Sequence, residues 1–209
     1  PYLIEQGVRN FVVTDETVVA KYAQANFIVV KDTILALQKM ATLHRKQFSY
    51  PVVGITGSNG KTICKEWLYQ LLNEDFNIVR NPKSFNSQIG VPVSVWNMTA
   101  DNTLGLFEAG ISEPDEMLRL QKVIQPTIGL ITNIGEAHSE GFLNAKHKTK
   151  EKLKLFADAE IIVYCKDHGD INNAIGEINS FNKAIDDSQK LKTFSWSSHA
   201  DSDFRVVSI

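Results

Sequence analysis

The chain has 209 residues, 43% of them hydrophobic, enough to bury a core and to hold one full domain with part of another. A formal net charge of -2 gives no electrostatic case for nucleic acid or for an anionic membrane surface. No apolar run is long enough to cross a bilayer and no secretory leader opens the chain, while Cys64 and Cys165 follow neither metal-ligand nor disulfide spacing and read as buried or incidental thiols of a reducing cytosol.

In chain order, Tyr2-Leu3-Ile4 falls straight into an element, and 10–13 and 26–30 read as short buried strands rich in Val and Ile. Asp32 has the character of an N-cap for a helix with apolar residues at Ile34, Leu37, Ala41 and over 44–48. Ser49-Tyr50-Pro51 breaks that helix and sets a domain boundary, giving units 1–49 and 50–209. A strand over 52–56 leads to a helix over 61–73 whose expected apolar face is Ile63, Trp67, Leu68, Leu71 and Leu72. Next come a strand at 77–80, a polar loop at 81–87 and a strand at 104–109. Ser112-Glu113-Pro114-Asp115 has capping-box spacing and opens a helix through 124. A strand at 127–132, a helix at 148–156 and a strand at 161–164 follow; 169–192 is polar and unassigned, and 204–209 reads as mid-strand. This alternation predicts an α/β fold, a mostly parallel sheet with helices on both faces. Both ends look cut, so the chain is expected to be a piece of a longer protein.

Gly57-Ser58-Asn59-Gly60-Lys61-Thr62 lies between the strand at 52–56 and the helix that follows. Glycines let the backbone fold so that several N–H groups converge on phosphate oxygens, and the helix adds its partial positive N-terminus. Lys61 can reach outer phosphates and the Thr62 hydroxyl can ligate Mg2+. The first glycine of the general phosphate-loop pattern falls on Ile55. The alternative is a tight turn with an incidental Lys-Thr, which the flanking strand and helix disfavour.

In a doubly wound sheet the site forms at the carboxyl ends of strands. The run 104–107 ends in Glu108, whose carboxylate can hold Mg2+; the run 128–131 ends in Thr132-Asn133, whose amide can bind a nucleotide or phosphate. His138 lies in the loop behind that edge, as a candidate metal or phosphate contact. A solvated Glu and an idle loop His are the plainer alternatives; their placement beside a phosphate loop favours function.

Gly54-Ile55-Thr56-Gly57-Ser58-Asn59-Gly60-Lys61-Thr62, Glu108-Ala109-Gly110 and Thr132-Asn133-Ile134-Gly135-Glu136-Ala137-His138 together resemble the Mur ligases of peptidoglycan synthesis, in which the irregular phosphate loop recurs. Asn81-Pro82-Lys83-Ser84-Phe85-Asn86-Ser87-Gln88-Ile89-Gly90-Val91-Pro92 and 138–142 resemble the branch that adds D-alanyl-D-alanine. Folylpolyglutamate synthases share the phosphate loop alone, and another Mur ligase or a non-catalytic nucleotide-binding module are the competing readings.

The resemblance implies ATP-dependent phosphorylation of the terminal carboxylate of UDP-N-acetylmuramoyl-tripeptide, then attack by the amine of D-alanyl-D-alanine on the acyl phosphate. It implies ATP contacts from Gly57, Ser58, Asn59, Gly60, Lys61, Thr62 and Asn133, and a first Mg2+ on Thr62 and Glu108. A second Mg2+ is implied on His138 and on Lys152 as a CO2-derived carbamate, with Lys61, His138 and Lys152 catalytic. Lys152 borders the face shared by Thr149, Leu153 and Phe156, although 146–154 could also be a solvated basic stretch. Lys83, Ser84 and Asn86 are expected to contact the muramoyl-peptide, or else to form a plain polar connection. By the same resemblance, 1–49 is part of a UDP-substrate domain and 50–209 a truncated ATP-binding domain, with a third, ligase-completing domain absent. The implied setting is a monomer in the bacterial cytoplasm, with no nucleic-acid partner and no membrane insertion.

Overall fold

The computed structural model describes residues 2–135, 141–185 and 191–207. A first, small unit holds α1 (Tyr2–Glu5), β1 (Asn10–Val13), α2 (Thr17–Lys21) and β2 (Asn26–Val29), with β1 and β2 paired in parallel. Helix α3 (Thr33–Arg45) follows, capped by Asp32, whose carboxylate accepts the backbone N–H groups of Ile34 and Leu35.

The remaining elements are β3 (Val52–Thr56), α4 (Lys61–Leu72), β4 (Ile78–Arg80), α5 (Gly90–Val95), β5 (Leu104–Glu108), α6 (Glu116–Ile124), β6 (Ile128–Ile131), α7 (Ala145–Leu153), β7 (Ile161–Cys165), α8 (Gly169–Ile185), β8 (Lys192–Ser197) and β9 (Phe204–Arg205). A 3-10 turn over Lys154–Phe156 extends α7. The strands form one seven-stranded sheet in the order β4-β5-β3-β6-β7-β8-β9, and every pair is parallel. The expected α/β class and parallel sheet are therefore observed. β3 lies between β5 and β6, so the chain departs to opposite sides of β3 in succession, and a crevice opens at its carboxyl end.

Side chains alternate across the strands. On one face Val52, Phe107, Ile131, Ile162 and Tyr164 join α3, α5, α6, α8 and the 3-10 turn in the larger core. On the other, Val53, Ile55, Leu104 and Leu106 meet Leu68, Tyr69 and Leu72 of α4. Gly129 permits the close approach of the 3-10 turn, because a Cβ there would lie 2.7 Å from the Phe156 ring.

Several expectations change in detail. Ile63, Trp67 and Leu71 of α4 are 58%, 65% and 75% exposed, so the inner stripe is Lys65, Leu68, Tyr69 and Leu72 instead. The helix is rotated because Lys61 and Thr62 must face the phosphate loop, which turns residues one and two helical turns later inward with Lys65. Ser112 is not the cap of α6. Glu116 instead accepts the backbone N–H groups of Ser112 and Glu113 at 2.7 and 2.9 Å, while Asp115 takes a left-handed φ of 64° and pairs with Lys154. Most of the unassigned stretch 169–192 is α8.

Helix α3, on the amino side of the boundary expected at 49/50, packs against α5 and α6, with Ala41 in the larger core. Its Arg45 is 5% exposed and donates to the carbonyls of Phe48, Ile124 and Gln125, covering the C-terminal carbonyls of α6. Among the described residues no helix is long and apolar enough to cross a membrane.

Candidate active site

The loop after β3 is shaped by two glycines with positive φ, Gly57 at 144° and Gly60 at 79°. Gly57 is also sterically obligatory, since a Cβ there would fall 1.9 Å from the Thr132 hydroxyl. The departure at Ile55 has a plain reason: Ile55 is a buried strand residue, in register with Glu108 on one side and Leu130 on the other.

The loop is laced to the segment after β6. Ser58 N–H donates to the Asn133 carbonyl at 2.8 Å, Asn59 N–H to the Asn133 side-chain oxygen at 3.0 Å, and the Thr132 hydroxyl to the Asn59 carbonyl at 2.7 Å. Gly135 N–H donates to the Ser58 hydroxyl, which donates back to the Gly135 carbonyl. Asn133 thus braces the loop through its side-chain oxygen. Lys61 curls back over the loop and donates to the carbonyls of Gly57 and Ser58 at 2.9 and 3.2 Å.

Glu108, at the end of β5, is fully buried. Its Oε1 accepts from the Thr62 hydroxyl at 3.1 Å and from Asn86 Nδ2 at 3.0 Å. Its Oε2 is buried with no hydrogen-bond partner. A buried carboxylate oxygen that accepts no hydrogen bond and has only the Lys65 ammonium 3.9 Å away, beside a threonine hydroxyl, is part of the hard oxygen set that a divalent cation such as Mg2+ takes, so these residues fit one. Among the described residues no three His, Cys, Asp or Glu side chains cluster as a ready-made metal cage.

Lys152 is 2% exposed. Burial first, then the neighbouring charges of Lys61 and Lys148, lower its pKa to about 7. Lys148, also buried, donates to the Gly135 carbonyl at 2.6 Å. Burial likewise lowers the pKa of Lys61, with Glu108 opposing the shift. A cavity of about 450 Å3 is lined by Lys61, Lys152, Asn86, Gly110, Ile34 and Glu116. The phosphate-loop lysine Lys61 and Lys152, whose pKa lies near 7, thus line one cavity, and Asn86 ties it to Glu108.

The loop at 81–87 contributes unequally. Asn86 reaches the cavity and Glu108, whereas Lys83 lines a separate groove with Arg80 and Thr62, and Ser84 is exposed. His138 lies outside the described residues. Two further residues lie behind the site and support Glu108 and the 81–87 loop. Asn81 is fully buried, accepts Glu108 N–H at 2.7 Å and donates to the carbonyls of Phe85 and Glu108. Lys65 is equally buried and donates to the carbonyls of Asn81 and Lys83. Asn81 ends the strand β4, so the strand-end rule that singled out Glu108 applies to it as well. Lys65 could have been found as a lysine inside the stripe Leu68, Tyr69 and Leu72.

Residues 55–207 match the family model of the Mur ligase middle domain. A UDP-N-acetylmuramoyl-tripeptide–D-alanyl-D-alanine ligase of Borreliella burgdorferi is 34% identical over 169 residues, covering 78% of this chain and 36% of that protein. Among solved structures, MurF from Acinetobacter baumannii superposes with a TM-score of 0.78 at 22% identity, over 91% of this chain and 40% of the other. MurF ligase from Thermotoga maritima, in complex with ADP, gives 0.75 at 22% identity, over 93% and 49%. The chain thus spans about a third of the length of the curated relative it matches.

Proposed function

Because this chain belongs to the Mur ligase family, we propose that it forms the nucleotide-binding middle part of an ATP-dependent ligase joining D-alanyl-D-alanine to UDP-N-acetylmuramoyl-tripeptide. The observation that carries the reading is the meeting of Thr62 and Asn86 on one oxygen of Glu108, with the other oxygen accepting no hydrogen bond, beside a phosphate loop. The names of the curated relatives support the choice of substrates, and the ADP held by the Thermotoga maritima ligase supports the choice of nucleotide.

In this reading the N–H groups of the loop and of the first turn of α4 hold the triphosphate. Lys61 leaves the carbonyls of Gly57 and Ser58 for the outer phosphates, an exchange of neutral acceptors for anionic ones. Thr62 and Glu108 would hold Mg2+, which would supply charge neutralisation for the transferring phosphoryl group. The tripeptide carboxylate attacks the γ-phosphorus, ADP leaves, and the dipeptide amine then displaces phosphate from the acyl carbon. Phosphoryl transfer asks the protein mainly for positioning and charge, which this site supplies without a nucleophile of its own.

Lys152 takes part as a carbamate. With a pKa of about 7, much of its amine is neutral in neutral solution, the form that adds CO2, making an N–C bond and releasing a proton. The product is an anion where Lys61 and Lys148 disfavour a cation, and its oxygens suit a second Mg2+, for which His138 is the other expected ligand.

The sequence puts the end of the UDP-substrate domain at residue 49; in this proposal that domain keeps only the residues before α3, because α3 packs against α5 and α6 and its Ala41 joins the larger core. A monomer in the bacterial cytoplasm is the setting proposed. The test is phosphate release by the full-length protein. Release should require both UDP-N-acetylmuramoyl-tripeptide and D-alanyl-D-alanine. Release driven by glutamate with a folate instead would move the protein to the folylpolyglutamate synthases, and nucleotide binding with no phosphate release under either condition would leave a non-catalytic nucleotide-binding module.

A further inference from the structure

Lys65 is a buried cation that the mechanism above does not use. Lys65 lies one turn beyond Lys61 on the inner face of α4, with its side chain 0% exposed. Its ammonium donates to the carbonyl of Asn81 at 2.7 Å and to that of Lys83, and stands 3.4 Å from Glu66 Oε1 and 3.9 Å from Glu108 Oε2. Removing an ammonium from water is costly, and a methionine would fill the same space in this apolar stripe without that cost. The ammonium must therefore be judged by what it holds.

What it holds is the turn that delivers Asn86. Lys83 adopts a left-handed φ of 49°, uncommon for a residue with a Cβ, and its carbonyl is one of the two that Lys65 grips. Asn81 closes the same turn through the Phe85 carbonyl at 2.7 Å and fastens it to the backbone of Glu108. Past the turn, Asn86 Nδ2 returns to Glu108 Oε1 at 3.0 Å. Both oxygens of Glu108 thus answer to Lys65: Oε1 through the turn and Asn86, Oε2 through the charge 3.9 Å away.

We propose that Lys65 is a positioning residue that fixes the turn over 81–86 and, through it, the orientation of the Glu108 carboxylate toward the divalent cation of the nucleotide site. The proposal rests on the reading of that site as one for Mg2+ and a nucleotide. Glu108 is the residue that touches the cation; Lys65 acts through it.

The test uses Lys65→Met in the full-length protein, with two readouts. Amide hydrogen exchange over 81–87 should accelerate about tenfold or more, as expected for the loss of charge-assisted hydrogen bonds to two carbonyls. ADP affinity without Mg2+ should stay within about twofold, while the gain in affinity brought by Mg2+ should fall about tenfold. If Lys65→Met does not fold, Lys65→Gln, which keeps a donor for one carbonyl, should show both effects at smaller size. Unchanged exchange over 81–87 overturns the proposal. Faster exchange with a full Mg2+ response also overturns it, leaving Lys65 as a purely architectural lysine. The wild-type protein separates the two claims: if it binds no ADP the reading of the site fails, and the exchange data still decide whether the turn depends on Lys65.

Discussion

Lys152 is where burial and chemistry meet most directly. The unfolded chain holds this proton up to about 10.5, whereas the folded protein releases it near 7, so the unfolded state binds more protons between those values. Stability contributed by this group therefore rises with pH across that window, and below about 7 the fold carries the full cost of a buried cation beside Lys61 and Lys148. Lys152→Met should raise the melting temperature at pH 6 and have its smallest effect near pH 10, measured by scanning calorimetry in CO2-free buffer. An equal shift at both pH values would contradict this account of the residue. The resemblance to the Mur ligases made Lys152 a candidate and its place beside an apolar face favoured it among the lysines of 146–154, but its nearness to Lys61 was not legible, because Lys61 comes from another element and only the fold brings the two together. Gly57 was legible for its conformation, whereas its clash with Thr132 was not, since that contact joins loops 75 residues apart in the chain.

At the scale of elements, strands were the more legible class. Their apolar runs end at polar residues, and those ends became the site at Thr56, Glu108 and Thr132. Helix α4 shows why helices were harder to read. Ile63, Trp67 and Leu71 recur every four residues and form an apolar stripe, yet they face outward, because the phosphate loop fixes the rotation of the helix from its first turn. A pattern of hydrophobicity cannot see that constraint. The rotation has a measurable consequence. Leu68→Ala, which empties space against Ile55 and Leu106, should cost about 1–3 kcal/mol, whereas Trp67→Gln should stay within about 0.5 kcal/mol, both read from urea unfolding. The reverse order would place the wrong face inward. Helix α8 was left unassigned because 169–192 is rich in Asp, Asn and Lys, which mask the helical spacing of Ile171, Ala174, Ile175 and Ile178; the first three are buried and Ile178 packs against the same core.

For the molecule as a whole, the order β4-β5-β3-β6-β7-β8-β9 explains how residues far apart in sequence share one edge of the sheet. The phosphate loop follows the central β3, Glu108 ends the neighbour on one side, and Thr132-Asn133 follow the neighbour on the other. Alternation of strands and helices made the parallel sheet legible; strand order, which sets the crevice, is not written in any local pattern. It also separates what belongs to the fold from what belongs to the chemistry. The sheet and its switch point bring together a phosphate loop, a carboxylate oxygen that accepts no hydrogen bond and a lysine whose pKa lies near 7, and the central claim is that this combination transfers a phosphoryl group to a carboxylate. That claim is tested most directly by running the full-length enzyme on UDP-N-acetylmuramoyl-tripeptide whose terminal carboxylate carries 18O, with unlabelled ATP and D-alanyl-D-alanine. If an acyl phosphate forms, one carboxylate oxygen leaves with the phosphate, and mass spectrometry should find one 18O in each inorganic phosphate released. Unlabelled phosphate formed alongside the amide product would contradict it.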